Sequence, residues 1–304
     1  MSVDAVGGAV EGAPARLALR VQYLGGHFFG WQWQPGQRTV QQCLEEATER
    51  IARHPVRYHA AGRTDTGVHA SGQVVHFDTH KKLAPETWVR GLNSLLPDDI
   101  AVRAAAYVSD HWHARFTALW REYRYCIHNS TVPDLFVRAQ SWYYPYCPLD
   151  SEAVAAALAT LPGHHDFRAF RRAGSSRPHS LVHVYTAECT REGEQIAIRV
   201  RANSFLYGMM RLLIGALAEV GSGRWSVERF AGLWQAGNRE QVKYAAPPQG
   251  LCLVGVGYPD DPFKTNGIGF ARCHTGQEKP EARLGNGDLE SREERPPHEM
   301  SPLH

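Results

Sequence analysis

The stretch Ala61-Gly-Arg-Thr-Asp-Thr-Gly-Val-His-Ala70 lies between two segments with strand character, Val56 to Ala60 and Val74 to Phe77. Two glycines bracket a single carboxylate, Asp65, so the backbone can turn sharply and expose that side chain. A simpler interpretation is a surface turn in which the aspartate accepts a local hydrogen bond. The residues alone favour neither interpretation.

The segments around this loop mix strands and helices without strict alternation. Leu17 to Tyr23 places apolar residues at every second position, which is typical of a half-buried strand. Further strands are predicted at 102–107, 123–127, 182–189, 196–200 and 251–256, and helices at 40–52, 85–95, 152–161, 205–220 and 227–235. This pattern predicts the α+β class with a largely antiparallel sheet.

Changes in composition predict four segments. Residues 1–14 form a disordered leader, residues 15–148 an N-terminal α+β half with the Asp65 loop, and residues 149–260 a C-terminal α+β half. Residues 261–304 contain many charged, Gly and Pro residues with almost no apolar period, so we expect a disordered tail.

Charge and cysteine content bound the class of protein. The 304 residues carry 33 basic and 31 acidic side chains, and residues 1–260 carry 27 against 23, so any basic surface must be local. No run reaches the roughly 18 apolar residues of a membrane span. Six cysteines without a Cys-x-x-Cys pair favour a reduced, cytoplasmic protein. Sixteen histidines show no ligand spacing, so no metal is expected.

Asp65-Thr66-Gly67 is also the tripeptide of aspartic proteases. Those enzymes need two carboxylates that share a proton. This chain has one such tripeptide, and the neighbouring Arg63 suits an ionised acid better. The protease hypothesis is therefore weak.

Several blocks together resemble the tRNA pseudouridine synthase A family. Gly62 to Ala70 looks like its signature, and the other blocks follow in the family's order between about Leu17 and Pro259. They are Tyr23-Leu-Gly-Gly-His-Phe-Phe-Gly-Trp-Gln32, His113-Ala-Arg-Phe-Thr-Ala118, Arg121-Glu-Tyr-Arg-Tyr125, Asp166-Phe-Arg-Ala-Phe170, Asn203-Ser-Phe-Leu-Tyr-Gly-Met-Met-Arg211 and Gly250-Leu-Cys-Leu-Val254.

The resemblance implies isomerisation of uridine to pseudouridine at tRNA positions 38, 39 and 40, in the anticodon stem-loop, without a cofactor or metal. It implies two related α+β halves that share one sheet with helices on one face, the pseudouridine synthase fold, and a homodimer. By the same resemblance Asp65 is the nucleophile, Arg211 pairs with its carboxylate, Tyr123 packs on the target base, and Arg63 lies near the flipped nucleotide.

Two departures from the family pattern lie beside Arg211. Gly208 and Leu212 stand where family members often carry polar or basic residues, so the RNA contacts of those family residues are not carried over to these two positions.

The chemistry of the residues agrees with these roles but leaves alternatives open. An ionised carboxylate suits attack on C1′ or removal of a sugar proton, and a paired arginine keeps the acid ionised. Tyr123 alternates with Tyr125 and Ile127, so the residues alone favour a core tyrosine. Arg211 lies in an apolar helix, where it either pairs with a carboxylate or reaches solvent along its own stem.

The densest basic segment surrounds Gly174-Ser-Ser176 and is the predicted tRNA contact. It contains Arg168, Arg171, Arg172 and Arg177, although a solvated charged loop explains it equally well. Two rival functions share the scaffold: a catalytically silent tRNA-binding protein, and an RNA hydrolase that releases uracil from uridine.

Overall fold

A computed structural model describes residues 13–174, 177–236, 239–242 and 244–264 of the chain. The predicted leader, except its last two residues, and the predicted tail, except its first four, lie outside the described residues.

Within the described residues, ten strands and five α-helices follow one another in a mixed order. The strands are β1 (Ala15–Tyr23), β2 (His59–Ala60), β3 (His69–Thr79), β4 (Ile100–Val108), β5 (Trp120–His128), β6 (Trp142–Tyr143), β7 (Gly163–Asp166), β8 (Leu181–Glu192), β9 (Gln195–Ala202) and β10 (Leu251–Gly257). The helices are α1 (Val40–Ala52), α2 (Pro85–Asn93), α3 (Ser151–Leu158), α4 (Met209–Gly221) and α5 (Val227–Ala236).

These strands form one sheet in the order β4-β1-β3-β10-β5-β9-β8-β7, with β2 beside β3 and β6 beside β5. All pairs are antiparallel except β10 with β3 and β5 with β6. The predicted α+β class with a largely antiparallel sheet is confirmed.

The central strand β10 positions the glycine-bracketed loop. Residues 61–68 connect β2 to β3, and the first residues of β3 pair with β10, with His69 opposite Cys252. On its other edge β10 pairs with β5, where Leu253 lies opposite Tyr123. The loop and Tyr123 therefore come from neighbouring positions in space although about sixty residues separate them in sequence.

The helices bury their apolar residues in one cluster on one side of the sheet. Leu44 of α1, Trp88 of α2, Val154 of α3, Leu213 of α4 and Phe230 of α5 all belong to it. A smaller cluster contains no helical residue and includes Val74 of β3, Ala104 of β4 and Tyr258. Among the described residues, no helix is long and apolar enough to cross a membrane.

The helix predicted from Phe205 begins only at Met209. Gly208 has φ +70°, a left-handed conformation that glycine adopts without steric strain and that interrupts a right-handed helix. The four residues before α4 therefore form a loop, although their apolar spacing resembles helix.

The residues immediately after β10 pack against β1. Phe263 is buried, the Arg20 guanidinium lies 4.7 Å from its ring centroid, and Asp261 forms an ion pair with Arg20 at 3.3 Å. The packed part of the chain thus continues through Lys264.

Candidate active site

The loop at 61–68 is pressed against the segment that follows β1. The Trp31 amide donates to the Thr64 carbonyl at 3.0 Å, and the Gly67 amide donates to the Phe28 carbonyl at 3.2 Å. Gly30 has φ +84°, and a Cβ there would lie 2.8 Å from the Thr64 carbonyl oxygen, so the close approach requires glycine. The hydrogen bonds to Thr64 and from Gly67 therefore fix the backbone on both sides of Asp65.

Asp65 itself begins a tight turn. The Val68 amide donates to the Asp65 carbonyl at 3.1 Å, and Gly67, the third residue of the turn, has φ +79°. A type II turn needs positive φ at that position, which explains the second glycine of the motif. The sharp reversal predicted from the two glycines is present.

Buried polar side chains hold the two ends of the loop. Thr64 Oγ1 lies 2.7 Å from the Tyr23 hydroxyl, and the Gln73 amide donates to the Gly62 carbonyl at 2.7 Å. His69 Nδ1 accepts from the Gly25 amide at 2.9 Å, so its Nε2 carries the proton and donates to the Ala139 carbonyl at 3.1 Å. Burial lowers the pKa of His69, which keeps it neutral in this role.

Arg121 of β5 binds the backbone at the start of the loop. Its guanidinium donates to the carbonyls of Ala61 at 3.2 and 3.0 Å, Asn203 at 3.0 Å, Ala118 at 3.2 Å, and also Arg115. These five hydrogen bonds use all five N–H groups of the side chain. Arg121 is buried, and it therefore joins the start of the Asp65 loop to the residues preceding β5 and following β9.

Arg211 of α4 brings a positive charge to the acid. Its Nη1 lies 3.9 Å from Oδ2 of Asp65, an ion-pair distance longer than a hydrogen bond. The Arg211 Nε donates to the Ala246 carbonyl at 2.7 Å, and the Ala246 amide donates to the Arg211 carbonyl at 2.9 Å. Pairing with the carboxylate, rather than escape to solvent along the stem, is the arrangement found.

Burial and positive charge act on Asp65 in opposite directions. Desolvation raises the pKa of the carboxyl above its ordinary value, and it outweighs the positive charges of Arg211 and Arg172, which lower it. The Asp65 carboxylate accepts no hydrogen bond from any described residue, so an incoming group has access to its oxygens. The side chain keeps about a fifth of its surface exposed.

Tyr123 lies at the edge of the same space. Its hydroxyl is 3.6 Å from the position that a Cβ on Gly62 would take, and its ring meets Phe205 edge-on with centroids 4.8 Å apart. Burial raises the pKa of Tyr123, and the neighbouring Tyr23 and Asp65 add to that rise. Only 7% of Tyr123 is exposed, so it is both a core tyrosine and a neighbour of Asp65.

The arginines predicted to contact substrate differ in their surroundings. Arg63 is exposed and has no hydrogen-bond or ion-pair partner among the described residues. Arg168 forms an ion pair with Asp166, and Arg171 donates to the Arg177 carbonyl at 3.0 Å. Arg177 donates to Ser204 at 3.0 Å and to the Leu181 carbonyl at 3.1 Å.

Among Arg168, Arg171, Arg172 and Arg177, it is Arg172 whose positive charge lowers the pKa of Asp65.

Within the part of the chain that the structure describes, no group of three or more His, Cys, Asp or Glu side chains could hold a metal ion.

Reasoning from the sequence missed the positioning role of Arg121. The signal was present, because Arg121 alternates with Tyr123 and Tyr125 on the buried positions of β5. A buried arginine must find acceptors, but the sequence does not show that they are four backbone carbonyls.

The family model described as tRNA pseudouridine synthase matches residues 19–117 and 157–259. Several cyanobacterial proteins named tRNA pseudouridine synthase A are similar over 82% of this chain. The protein of Nostoc sp. is 53% identical and covered over 88% of its length, that of Thermosynechococcus vestitus is 52% identical and covered over 87%, and that of Synechocystis sp. is 50% identical and covered over 90%.

Among solved structures, a chain of a Cbf5-Nop10-Gar1 complex aligns over 66% of this chain and 54% of its own, with 14% identity and a TM-score of 0.30. That likeness is too low to support an argument about function. The segments matched by the family model include Asp65 and Arg211, and together with the curated relatives they show that the chain belongs to the tRNA pseudouridine synthase A family.

Proposed function

We propose that this pseudouridine synthase isomerises uridine at positions 38, 39 and 40 in the anticodon stem-loop of tRNA, with Asp65 as its nucleophile. The observation that carries the proposal is the partly buried Asp65 carboxylate, which accepts no hydrogen bond from any described residue and lies 3.9 Å from the Arg211 guanidinium. A carboxylate that served only to stabilise the fold would accept hydrogen bonds. One that is left open beside a cation is suited to react.

The isomerisation breaks the N1–C1′ bond and forms a C5–C1′ bond. The hydrogen on C5 leaves as a proton to water, and N1 gains a proton, so no cofactor is required by the atom balance. Asp65 either bonds to C1′ while the base turns, or removes a sugar proton to give a glycal intermediate. Both routes need the ionised carboxylate, which Arg211 favours by lowering the pKa of Asp65.

The target base must leave the RNA stack before it can turn, because C1′ is not reachable within a duplex. Tyr123 supports this step as the aromatic neighbour of Asp65, with its ring held by Phe205. Arg63 is exposed two residues before the acid, where it can contact the flipped nucleotide.

The tRNA itself is expected to meet arginines at the edge of the site. Arg168, Arg171, Arg172 and Arg177 share one segment, and phosphate contacts from such side chains supply affinity without reading sequence. A homodimer in the cytoplasm belongs to the same proposal, supported by the family resemblance.

The decisive experiment uses an anticodon-arm RNA labelled with tritium at uracil C5. Incubation with the full chain should release tritium into water while the base stays attached to the RNA. Arms that carry a single uridine at position 38, 39 or 40 then test each position separately.

Two other outcomes would overturn the proposal. Free labelled uracil would identify a uridine-cleaving hydrolase. Binding of the arm without release of tritium or base would identify a catalytically silent tRNA-binding protein. Release from uridines elsewhere in tRNA, with none at these three positions, would contradict the proposed specificity alone.

A further inference from the structure

The side chain of Arg172 occupies the space that a side chain at position 208 would take. A Cβ on Gly208 would overlap Cδ and Cγ of Arg172, and the Arg172 amide donates to the Tyr207 carbonyl at 3.0 Å. The absence of a side chain at Gly208 thus allows an arginine from a different segment to lie there.

This placement brings the charge of Arg172 close enough to act on Asp65. Gly208 is the N-terminal cap of α4, and Arg211, which forms the ion pair with Asp65, lies in the first turn of the same helix. The positive charges of Arg211 and Arg172 both lower the pKa of Asp65. Arg172 therefore supplies a second positive charge near the acid.

The guanidinium of Arg172 is held but not neutralised. It lies 5.6 Å from the centroid of the Tyr207 ring, and neither a carboxylate nor a carbonyl of any described residue accepts a hydrogen bond from it. Its neighbours differ, because Arg168 pairs with Asp166 and Arg177 bonds Ser204. An exposed, aromatic-supported guanidinium with free donors is suited to an anion.

We propose that Arg172 binds a backbone phosphate adjoining the uridine that reacts at Asp65, and that Gly208 is the residue that makes this site possible. Arg211 is already engaged by Asp65 and the Ala246 carbonyl, whereas the guanidinium of Arg172 keeps its donors for the substrate. The inference rests on the proposed function, since it needs an RNA strand in this cleft. The phosphate contact fixes the flipped nucleotide relative to the acid.

Binding measured with methylphosphonate RNA tests the contact directly. Anticodon arms with one neutral methylphosphonate, placed 5′ or 3′ of the target uridine, are titrated against Asp65→Asn and against the same protein carrying Arg172→Ala. One of the two neutral linkages should weaken binding by about tenfold to Asp65→Asn, and should have no further effect once Arg172 is removed.

The salt dependence gives a second readout. Arg172→Ala should reduce the slope of log K against log[salt] by about one, which loss of a structural arginine would not do. Arg103→Ala is the matched control, because Arg103 is exposed on β4 at the far edge of the sheet. Equal sensitivity to both methylphosphonates with and without Arg172 would overturn the inference.

Gly208→Ala tests the role of the missing side chain. It should displace Arg172 and weaken binding as much as Arg172→Ala, and the double variant should be no weaker than either one. Additive losses would show that Gly208 does not act through Arg172. If Gly208→Ala fails to fold, because its φ is positive, the methylphosphonate titration decides alone.

The tritium assay on the wild-type protein separates the two proposals. If the wild type turns over and Arg172→Ala binds RNA as tightly as the wild type does, only the proposed phosphate contact is rejected. Lack of wild-type turnover would remove the proposed function.

Discussion

Two groups of polar side chains lie on or beside β3 and differ in charge. The first is the Asp65 centre on the helix-covered side, where Tyr123 belongs to the larger apolar cluster. The second is a histidine cluster, formed by His59, His76 and His113, next to the smaller apolar cluster that contains Val74. The centroid of the His76 ring lies 5.0 Å from that of the His59 ring and 4.5 Å from that of the His113 ring.

Two of the three histidines accept hydrogen bonds from the backbone. His76 Nδ1 accepts from the Ala114 amide at 3.2 Å, and His113 Nδ1 accepts from the Arg115 amide at 3.0 Å. Protonation would place a hydrogen on those acceptors. Burial first, and then the nearby His113, Arg16 and His59, lower the pKa of His76 to about 3, with Asp78 opposing.

The difference between Asp65 and the histidines shows which surroundings allow a partly buried side chain to carry a charge and react. Asp65 has cations near it and no hydrogen-bond donor, so it can ionise and still react. His76 and His113 accept backbone hydrogen bonds, and burial lowers the pKa of both, so these two side chains stay neutral and serve the fold. Removing single members of each group tests this contrast.

The largest expected effect is that of Asp65→Asn. The substitution keeps the shape of the side chain but removes the charge, so turnover should be abolished while tRNA affinity stays within a few-fold. Tritium release and equilibrium binding on the same protein measure both. Activity near that of the wild type would refute the assignment of the nucleophile.

Loss of Arg121 should come next, because four backbone carbonyls would lose their donor. Arg121→Met should lower the free energy of unfolding by about 3 kcal/mol or more, measured by urea denaturation, and should reduce turnover further in the folded fraction. Arg124→Met, on the same strand, is the control. Equal stability of these two variants would show that Arg121 does not hold the loop.

Arg211→Gln should lower turnover and shift its pH dependence. Since Arg211 lowers the pKa of Asp65, its removal raises that pKa, and the acid limb of kcat/KM should move to higher pH. A pH profile on anticodon-arm RNA measures the shift. An acid limb at the same pH as in the wild type would mean that another group titrates there.

The smallest effect is expected from the histidine cluster, and on stability alone. Because the folded-state pKa of His76 lies below its ordinary 6.5, the unfolded chain binds the extra proton first, and stability falls as the pH drops from about 6.5 to about 3. His76→Gln should reduce that slope by up to about 1.4 kcal/mol per pH unit.

Unfolding at several pH values checks this, with turnover at pH 7 as the control. A large loss of activity in folded His76→Gln at pH 7 would contradict the contrast between the two clusters.

Much of the fold was predictable because its signals are local. The alternation of Leu17 to Tyr23 and the spacing of Val40 to Ala52 match β1 and α1. Prediction was poorer at the ends of elements. The positive φ of Gly208 makes α4 begin later than predicted, at Met209. Of the strand predicted from Val56 to Ala60, only His59 and Ala60 form a strand.

The sequence by itself determined the elements, the α+β class and the family, because periodicity and short motifs are properties of neighbouring residues. The pairing of Asp65 with Arg211, 146 positions later, could be predicted only from the family resemblance. The distance between the two side chains follows from the folded chain. The tertiary structure decided which arginines keep free donors. Arg172 lies over Gly208 and Arg121 beneath Ala61 because of packing between distant segments, which no local pattern encodes.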